Sequence, residues 1–254
     1  MLVIRVSLIL KPITPKLTII NPSSELITHQ SHLRDCTLCP NMIRPVITCQ
    51  PVLSPIMLIG QAPGIHEAKV MRPFGWAAGK TLFQWFSRIG LDEAQFRERV
   101  YMAAVCRCFP GKNLKGSGDR VPSEEEISNC ARWLDAELKL MQPQLLILVG
   151  KLAIKQFLSA KKLEEVVGRV HQRQLAGKTV DLLPLPHPSG LSTWPHMEPG
   201  KALLQQALQA LQEHPVWQQL VYAELKPSER NCFSKHDMLC LKPLSAAMNE
   251  NPYE

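Results

Sequence analysis

Short apolar runs alternate with longer segments of helical periodicity along most of this chain. Four runs have the length and composition of strands that are buried on both faces of a parallel sheet: residues 55–60 (PIMLIG), 100–106 (VYMAAVC), 144–150 (QLLILVG) and 180–186 (VDLLPLP). Helices are predicted between them, near residues 79–90, 151–160 and 201–213. The pattern predicts an α/β fold, a three-layer α/β/α sandwich with a central four-stranded parallel sheet.

The clearest helix start is at Ser123. Ser123 and Glu126 have the S-x-x-E spacing of a capping box, and an apolar stripe then continues to Met141. Ligands of such folds bind beyond the carboxyl ends of the strands. Four connections are expected at that edge: GQAPGIHEAKVMRPF, CRCFPGKNLKGSGDRVPS, the turn at Gly150 and Lys151, and PLPHPSGLSTW.

Length and composition bound the class of protein. The 254 residues are 45% hydrophobic, enough for one globular domain, predicted over residues 26–223, with an N-terminal extension (1–25) and a flexible C-terminal tail (224–254). The net charge of +7 is a weak indication of a nucleic-acid partner. No run reaches the ~20 apolar residues that cross a bilayer, and the apolar start lacks the features of a secretory signal. A cytoplasmic protein is therefore expected, with no membrane association.

The stretch RPFGWAAGKTLFQWF (residues 72–86) superficially resembles a phosphate-binding P-loop. That motif needs four residues between its glycines, but only three separate Gly75 from Gly79, ahead of Lys80. The nearest predicted strand also ends about a dozen residues earlier. A nucleotide-binding enzyme that uses Lys80 is therefore a weak alternative.

The chain has eight cysteines. Without a secretory signal, these are better interpreted as thiols or metal ligands than as disulfides. Cys36 and Cys39 form a C-x-x-C pair, a spacing that lets two thiolates face one metal.

Taken together, the loops carry a family resemblance. GQAPG after the first strand, RPF with AAG beyond it, and HPSGLS after the last strand resemble the uracil-DNA glycosylase superfamily. VYMAAVCRCFPG and GDRVPSEEEISNC are similar to its iron-sulfur branch, the family-4 enzymes, and the resemblance covers roughly residues 30–213. It implies a monomer that binds DNA, flips out a base and hydrolyses its N-glycosidic bond. No lysine is convincingly placed for a Schiff base, so a monofunctional enzyme is expected.

The reaction needs a donor at the departing base and a held water near the sugar. A neutral imidazole suits the first task, and the resemblance assigns it to His187, with Gln61 at the water-positioning place. It further implies two groups of binding residues. The base would lie against Phe74, Gly60, Ala62 and Ala104, and the DNA backbone against Pro188, Ser189, Gly190 and Ser192.

Three of these positions depart from the family. Family-4 enzymes have glutamate at the place of Gln61, and the best-known branch of the superfamily has a water-positioning aspartate at that of Ala62. Glutamine can orient a water but cannot accept its proton, so Glu67 or His66 is considered as a substitute. Ala104 stands where family 4 has the asparagine that recognises uracil. Uracil, hypoxanthine, xanthine and damaged bases are therefore all open as substrates.

The same resemblance gives the cysteines a role. Cys108 and Cys130 match the third and fourth family ligands, with an insertion between them, so Cys36, Cys39, Cys108 and Cys130 are predicted to hold a 4Fe-4S cluster. Structural zinc is the alternative, and Cys106 is a rival ligand.

The inserted loop is basic. Its cations are Arg107, Lys112, Lys115 and Arg120. They predict either a DNA-backbone contact, for which Lys112 and Arg120 are the chosen candidates, or a solvated loop. A catalytically weak or inactive DNA-binding protein of the same fold remains the main rival function.

Overall fold

The computed structural model describes residues 22–114 and 116–222. The predictions for residues 1–21 and for the tail beyond residue 222 lie outside this part. The strands are β1 (Ile56–Gly60), β2 (Tyr101–Ala104), β3 (Leu145–Val149), β4 (His171–Leu175) and β5 (Lys178–Leu185). They form one sheet in the order β2-β1-β3-β5-β4.

The four predicted strands are confirmed, and they run parallel to one another. The prediction of only four strands was wrong. A fifth strand, β4, pairs antiparallel with β5 at the edge of the sheet. Its sequence HQRQL is mostly polar and exposed, so it lacks the apolar signal of a buried strand.

The helices of the described residues are α1 (Pro22–Arg34), α2 (Glu67–Val70), α3 (Ala77–Ser87), α4 (Glu93–Arg99), α5 (Glu124–Met141), α6 (Lys151–Phe157), α7 (Gly200–Glu213) and α8 (Pro215–Val221). Short 3-10 turns occupy Leu163–Glu165 and Trp194–His196. α5 begins with the predicted capping box, in which Ser123 and Glu126 exchange hydrogen bonds. α1 begins before the predicted domain boundary at residue 26.

Helices cover both faces of the sheet. β1 and β3 are buried at every position, which requires a layer of structure on each side. α6 packs on β1 and β3, α7 packs on β5, and α1 packs against α5. The predicted three-layer α/β/α sandwich is confirmed.

The strand register brings the predicted loops together. Gly60 pairs with Ala104 at the ends of β1 and β2, and Val149 pairs with Leu185 at the ends of β3 and β5. The four connections that leave these strands therefore meet at one edge, as expected for parallel strands.

Candidate active site

A cavity of about 540 Å³ lies at this edge of the sheet. All six predicted catalytic and base-binding residues line it: Gly60, Gln61, Ala62, Phe74, Ala104 and His187. Of the predicted DNA-backbone residues, Ser189 and Lys112 also line it. Pro188, Gly190, Ser192 and Arg120 lie outside its lining.

His187 is half-buried and packs against the start of α6. A Cβ on Gly150 would come within 3.2 Å of its ring, so the glycine gives the imidazole its room. Burial lowers the pKa of His187, which favours the neutral ring, while nearby Asp119 opposes that shift. The backbone N–H of Ser189 donates to Nδ1 at 3.2 Å. Nδ1 is therefore the acceptor, and the neutral ring carries its proton on Nε2.

Phe74 lies across the first strand in a left-handed backbone conformation, with φ of 51°. Such a conformation is strained for a bulky side chain and needs support from its surroundings. Arg97 supplies part of it, because its guanidinium donates to the carbonyls of Pro73 (2.9 Å) and Phe74 (3.0 Å). A Cβ on Gly60 would lie 2.9 Å from the Phe74 ring. The ring therefore packs directly on the strand end.

Glu67 ties together two loops of the cavity. Its carboxylate accepts from the backbone N–H groups of Gly64 and Gly75. Burial raises the pKa of Glu67, and these hydrogen bonds act in the opposite direction. Both oxygens are thus engaged in holding the loops.

The P-loop interpretation has no structural basis. The N–H of Gly75 is bonded to Glu67, and that of Lys80 is bonded to the Trp76 carbonyl. Lys80 is exposed on α3, outside the cavity lining. The N–H groups of Gly75 and Lys80 are therefore not free to bind a phosphate.

The wall of the cavity at the end of β2 is held by main-chain hydrogen bonds. The carbonyl of Gln61 accepts from the N–H of Cys106 at 3.0 Å. The carbonyl of Ala104 accepts from Arg107 Nε at 2.9 Å. Ala104 leaves this wall without a polar side chain.

Arg107 was expected on the basic loop surface, and this prediction was wrong. Only 2% of Arg107 is exposed. Its guanidinium forms an ion pair with the fully buried Glu137, which also accepts from the Tyr101 hydroxyl at 2.7 Å. Burial of a charge requires such a partner, so Arg107 is part of the core, where it lies between the sheet and α5.

The two loop cations predicted to contact DNA, Lys112 and Arg120, form ion pairs with carboxylates of this chain. Lys112 Nζ lies 2.7 Å from Asp119 Oδ1. Arg120 donates to both oxygens of Glu126, at 2.6 and 2.7 Å. Their contact with DNA stays a prediction. The structure adds roles that the sequence did not indicate, since the Lys112–Asp119 pair links two parts of the loop and the Arg120–Glu126 pair links the loop to α5.

A second cavity, of about 160 Å³, is lined by cysteines. Cys36, Cys39, Cys108 and Cys130, the four predicted ligands, all border it, together with the rival Cys106. A hydrogen bond from Cys106 lowers the pKa of Cys130. No three cysteine, histidine or acidic side chains of the described residues converge as they would on a single metal ion.

The fold and the cavity define an α/β protein with a ligand site at the carboxyl ends of its parallel strands. The family model of the uracil DNA glycosylase superfamily matches residues 47–212. The chain belongs to this superfamily. Cys36 and Cys39 precede the matched segment, whereas Cys108 and Cys130 lie within it.

Curated relatives agree with this assignment. A type-4 uracil-DNA glycosylase of Pyrobaculum aerophilum is 31% identical over 141 residues, which cover 54% of this chain and 67% of the relative. The type-4 uracil-DNA glycosylase of Thermotoga maritima is 31% identical over 163 residues, or 63% of this chain and 79% of the relative. A type-5 uracil-DNA glycosylase of Thermus thermophilus is 29% identical over 159 residues, which cover 50% of this chain and 69% of the relative.

Proposed function

We propose that this protein is a monofunctional DNA repair glycosylase that flips out uracil or another deaminated base and hydrolyses its N-glycosidic bond, leaving an abasic site. The observation that carries the proposal is the state of His187. Its Nδ1 accepts from the Ser189 N–H, so the neutral ring carries its proton on Nε2, and the residue lines the 540 Å³ cavity. A donor of this kind stabilises the negative charge that develops on the departing base.

The other residues of the cavity serve binding. Phe74 supplies an aromatic face for the flipped base, and the small residues Gly60, Ala62 and Ala104 leave room for it. His66 and Trp76, with ring centroids 4.6 Å apart, add aromatic surface to the lining. Pro188, Ser189, Gly190 and Ser192 are proposed to contact the DNA backbone, with Lys112 and Arg120 on the neighbouring loop.

We also propose that Cys36, Cys39, Cys108 and Cys130 hold a 4Fe-4S cluster. In such a cluster each thiolate binds a different iron, so four thiols around a cavity suit it. A single zinc ion would need all four sulfurs about 2.3 Å from one point. When bound, the cluster would supply structural cross-links between the segment before β1 and the connection from β2 to α5.

The named substrate of the type-4 relatives supports uracil as the first base to test. Gln61 and Ala104 support the rival function, a DNA-binding protein with little or no activity, because both stand at places where family-4 enzymes have functional side chains. The substrate range therefore has to be measured. Within residues 22–114 and 116–222, no helix has the length and hydrophobicity to span a membrane. A cytoplasmic location and a monomeric state stay predictions.

A panel of labelled oligonucleotides separates these functions. Protein purified without oxygen is incubated with single- and double-stranded DNA that contains uracil, hypoxanthine, xanthine or no lesion. Alkaline cleavage then reveals abasic sites, and a mobility shift reports binding. Release of one of these bases supports the glycosylase and names its substrate. Binding without release from any substrate supports the inactive DNA-binding protein.

A further inference from the structure

The proposed hydrolysis lacks an evident acceptor for the proton of the attacking water. Gln61 and Ala62, at the places where the resemblance implies carboxylates, line the cavity, and neither side chain can take a proton. Among the described residues that line the cavity, two have carboxylates: Glu67 and Asp119. If a carboxylate of the cavity accepts the proton of the water, it is therefore one of these two.

Glu67 is poorly suited to the task. Its Oε2 accepts from Gly64 and its Oε1 from Gly75, so each oxygen already holds part of the loop. Proton transfer to it would weaken the hydrogen bonds that shape the cavity. Glu67 therefore has a structural role, in which it holds the backbone at Gly64 and Gly75.

One oxygen of the Asp119 carboxylate has no such structural role. Its Oδ1 pairs with Lys112 at 2.7 Å, whereas its Oδ2 lies 3.5 Å from the position of a Cβ on Gly64. No donor of the described residues is hydrogen-bonded to Oδ2. About a third of the Asp119 side chain is exposed, which gives water access to it.

The loop holds this carboxylate in place. Lys112 and Asp119 form an antiparallel bridge, and the N–H of Asn113 donates to the Gly118 carbonyl at 3.0 Å. The N–H of Arg120 donates to the Gly111 carbonyl at 3.0 Å, while its guanidinium binds Glu126 on α5. A fixed base is what a positioned proton acceptor requires.

Asp119 also belongs electrostatically to the same site as His187. Its negative charge favours the protonated imidazole and so opposes the effect of burial on the His187 pKa. The positive charge of Lys112 partly offsets the repulsion between this carboxylate and DNA phosphates.

We propose that Asp119 is the catalytic carboxylate that binds the hydrolytic water and accepts its proton. This inference rests on the proposed glycosylase function. The water oxygen bonds to C1′ of the sugar and the C1′–N bond breaks, with its electron pair leaving on the base. The water proton passes to Asp119, and His187 Nε2–H gives a hydrogen bond to the base anion and keeps its proton. The anion then takes up one proton from solvent, and Asp119 releases the water proton to solvent. The inserted loop thus supplies the group missing at Gln61 and Ala62.

The test compares Asp119→Asn with Asp135→Asn, the same change at an exposed site on α5. Single-turnover base release, DNA affinity and thermal stability are measured on the substrate that the wild type cleaves best. Asp119→Asn should lower the rate by about 10²- to 10⁴-fold, the usual contribution of a general base. The affinity for DNA and the melting temperature should stay close to those of Asp135→Asn. In Asp119→Ala, added formate should restore part of the rate, because it can occupy the vacated space and take the proton.

Three outcomes would overturn the inference. If the wild type releases no base from any substrate, the proposed function fails and the role of Asp119 fails with it. If the wild type is active and Asp119→Asn keeps its rate, the glycosylase stands without this base. If rate and DNA affinity fall by the same factor and formate restores nothing, Asp119 is a DNA contact or a structural residue.

Discussion

At the scale of single residues, the site depends on one histidine whose protonation the backbone controls. The N–H of Ser189 points at Nδ1 of His187, and a second proton on the ring would have to displace that donor. Burial acts in the same direction by lowering the pKa of His187. The tautomer that the proposed reaction requires is thus set by the fold in the absence of substrate.

This arrangement predicts a pH-dependent stability. The unfolded chain takes up a proton on this histidine below about pH 6.5, whereas the folded protein does so only at lower pH. The free energy of unfolding should therefore fall as the pH is lowered from about 7.5 to about 5.5. Urea unfolding of the wild type and His187→Gln measures this, and the fall should be smaller in the variant. Parallel curves for the two proteins would contradict the lowered pKa.

Ala104 predicts a change in specificity. Ala104→Asn places an amide on the cavity wall, where it can pair with the polar edge of uracil. The hydrogen bond from Arg107 Nε goes to the main-chain carbonyl at position 104 and does not involve the new side chain. Excision of uracil relative to hypoxanthine should rise about tenfold, the effect of roughly 1.4 kcal/mol from one good hydrogen bond. Competition between the two substrates measures the ratio. Ala202→Asn on α7 is the control, and an unchanged ratio for Ala104→Asn would show that this wall does not contact the base.

At the scale of elements, the start of α3 shapes the loop that carries Phe74. A Cβ on Gly79 would lie 1.8 Å from the Phe74 carbonyl oxygen, so the helix and the loop fit only with glycine at this position. From the other side, Arg97 of α4 holds the carbonyls of Pro73 and Phe74. Two helices thus fix a strained residue at the mouth of the cavity.

Gly79→Ala should therefore displace Phe74 and reduce base excision by about 10²-fold, since a shift of about 1 Å has effects of that size. Arg97→Met should act in the same direction, because it removes both carbonyl contacts. The rates are compared with that of Arg88→Met, a change on the exposed surface. Wild-type rates in both site variants would mean that the position of Phe74 does not matter for catalysis.

Elements with a strong local pattern could be predicted from the sequence, and elements without one could not. The parallel strands and α5 have continuous apolar runs or a capping box, which require no knowledge of their neighbours. β4 and the four-residue α2 lack such patterns, because a polar edge strand and a single turn are stabilised by what they pack against.

The site could be predicted only where a motif marks it. His187, Gln61 and Phe74 belong to recognisable loops, and the structure brings them to one cavity. Arg107 and Asp119 belong to the same basic loop in the sequence, yet one is buried against Glu137 and the other lines the cavity. Only the tertiary fold separates such neighbours.

At the scale of the whole molecule, Arg107 connects the two cavities. It lines both the candidate active site and the space between the cysteines. Its partner Glu137 is on α5, the same helix as Cys130. Loss of the proposed cluster should therefore disturb the wall of the candidate active site, because Arg107 donates a hydrogen bond to the Ala104 carbonyl there.

The cluster proposal predicts a distinct pattern among cysteine variants. Serine at position 36, 39, 108 or 130 should reduce bound iron and acid-labile sulfide and lower the melting temperature, because each thiolate binds one iron. Cys49→Ser should keep the iron of the wild type, since Cys49 lies outside this cavity. Iron retained by Cys108→Ser but lost from Cys106→Ser would assign the ligand to Cys106. Zinc without iron in anaerobically purified protein would contradict the cluster.

The most direct test of the glycosylase is the rate of base release by His187→Ala under single-turnover conditions. His171→Ala, a change on the edge strand β4, serves as the control. Loss of one preorganised donor should slow release by about 10²- to 10³-fold in His187→Ala, with DNA binding retained, while His171→Ala keeps the wild-type rate. An equal rate in all three proteins would contradict the assignment of His187. If the wild type releases no base, the proposed glycosylase function is wrong and the rival function, a DNA-binding protein without activity, is supported.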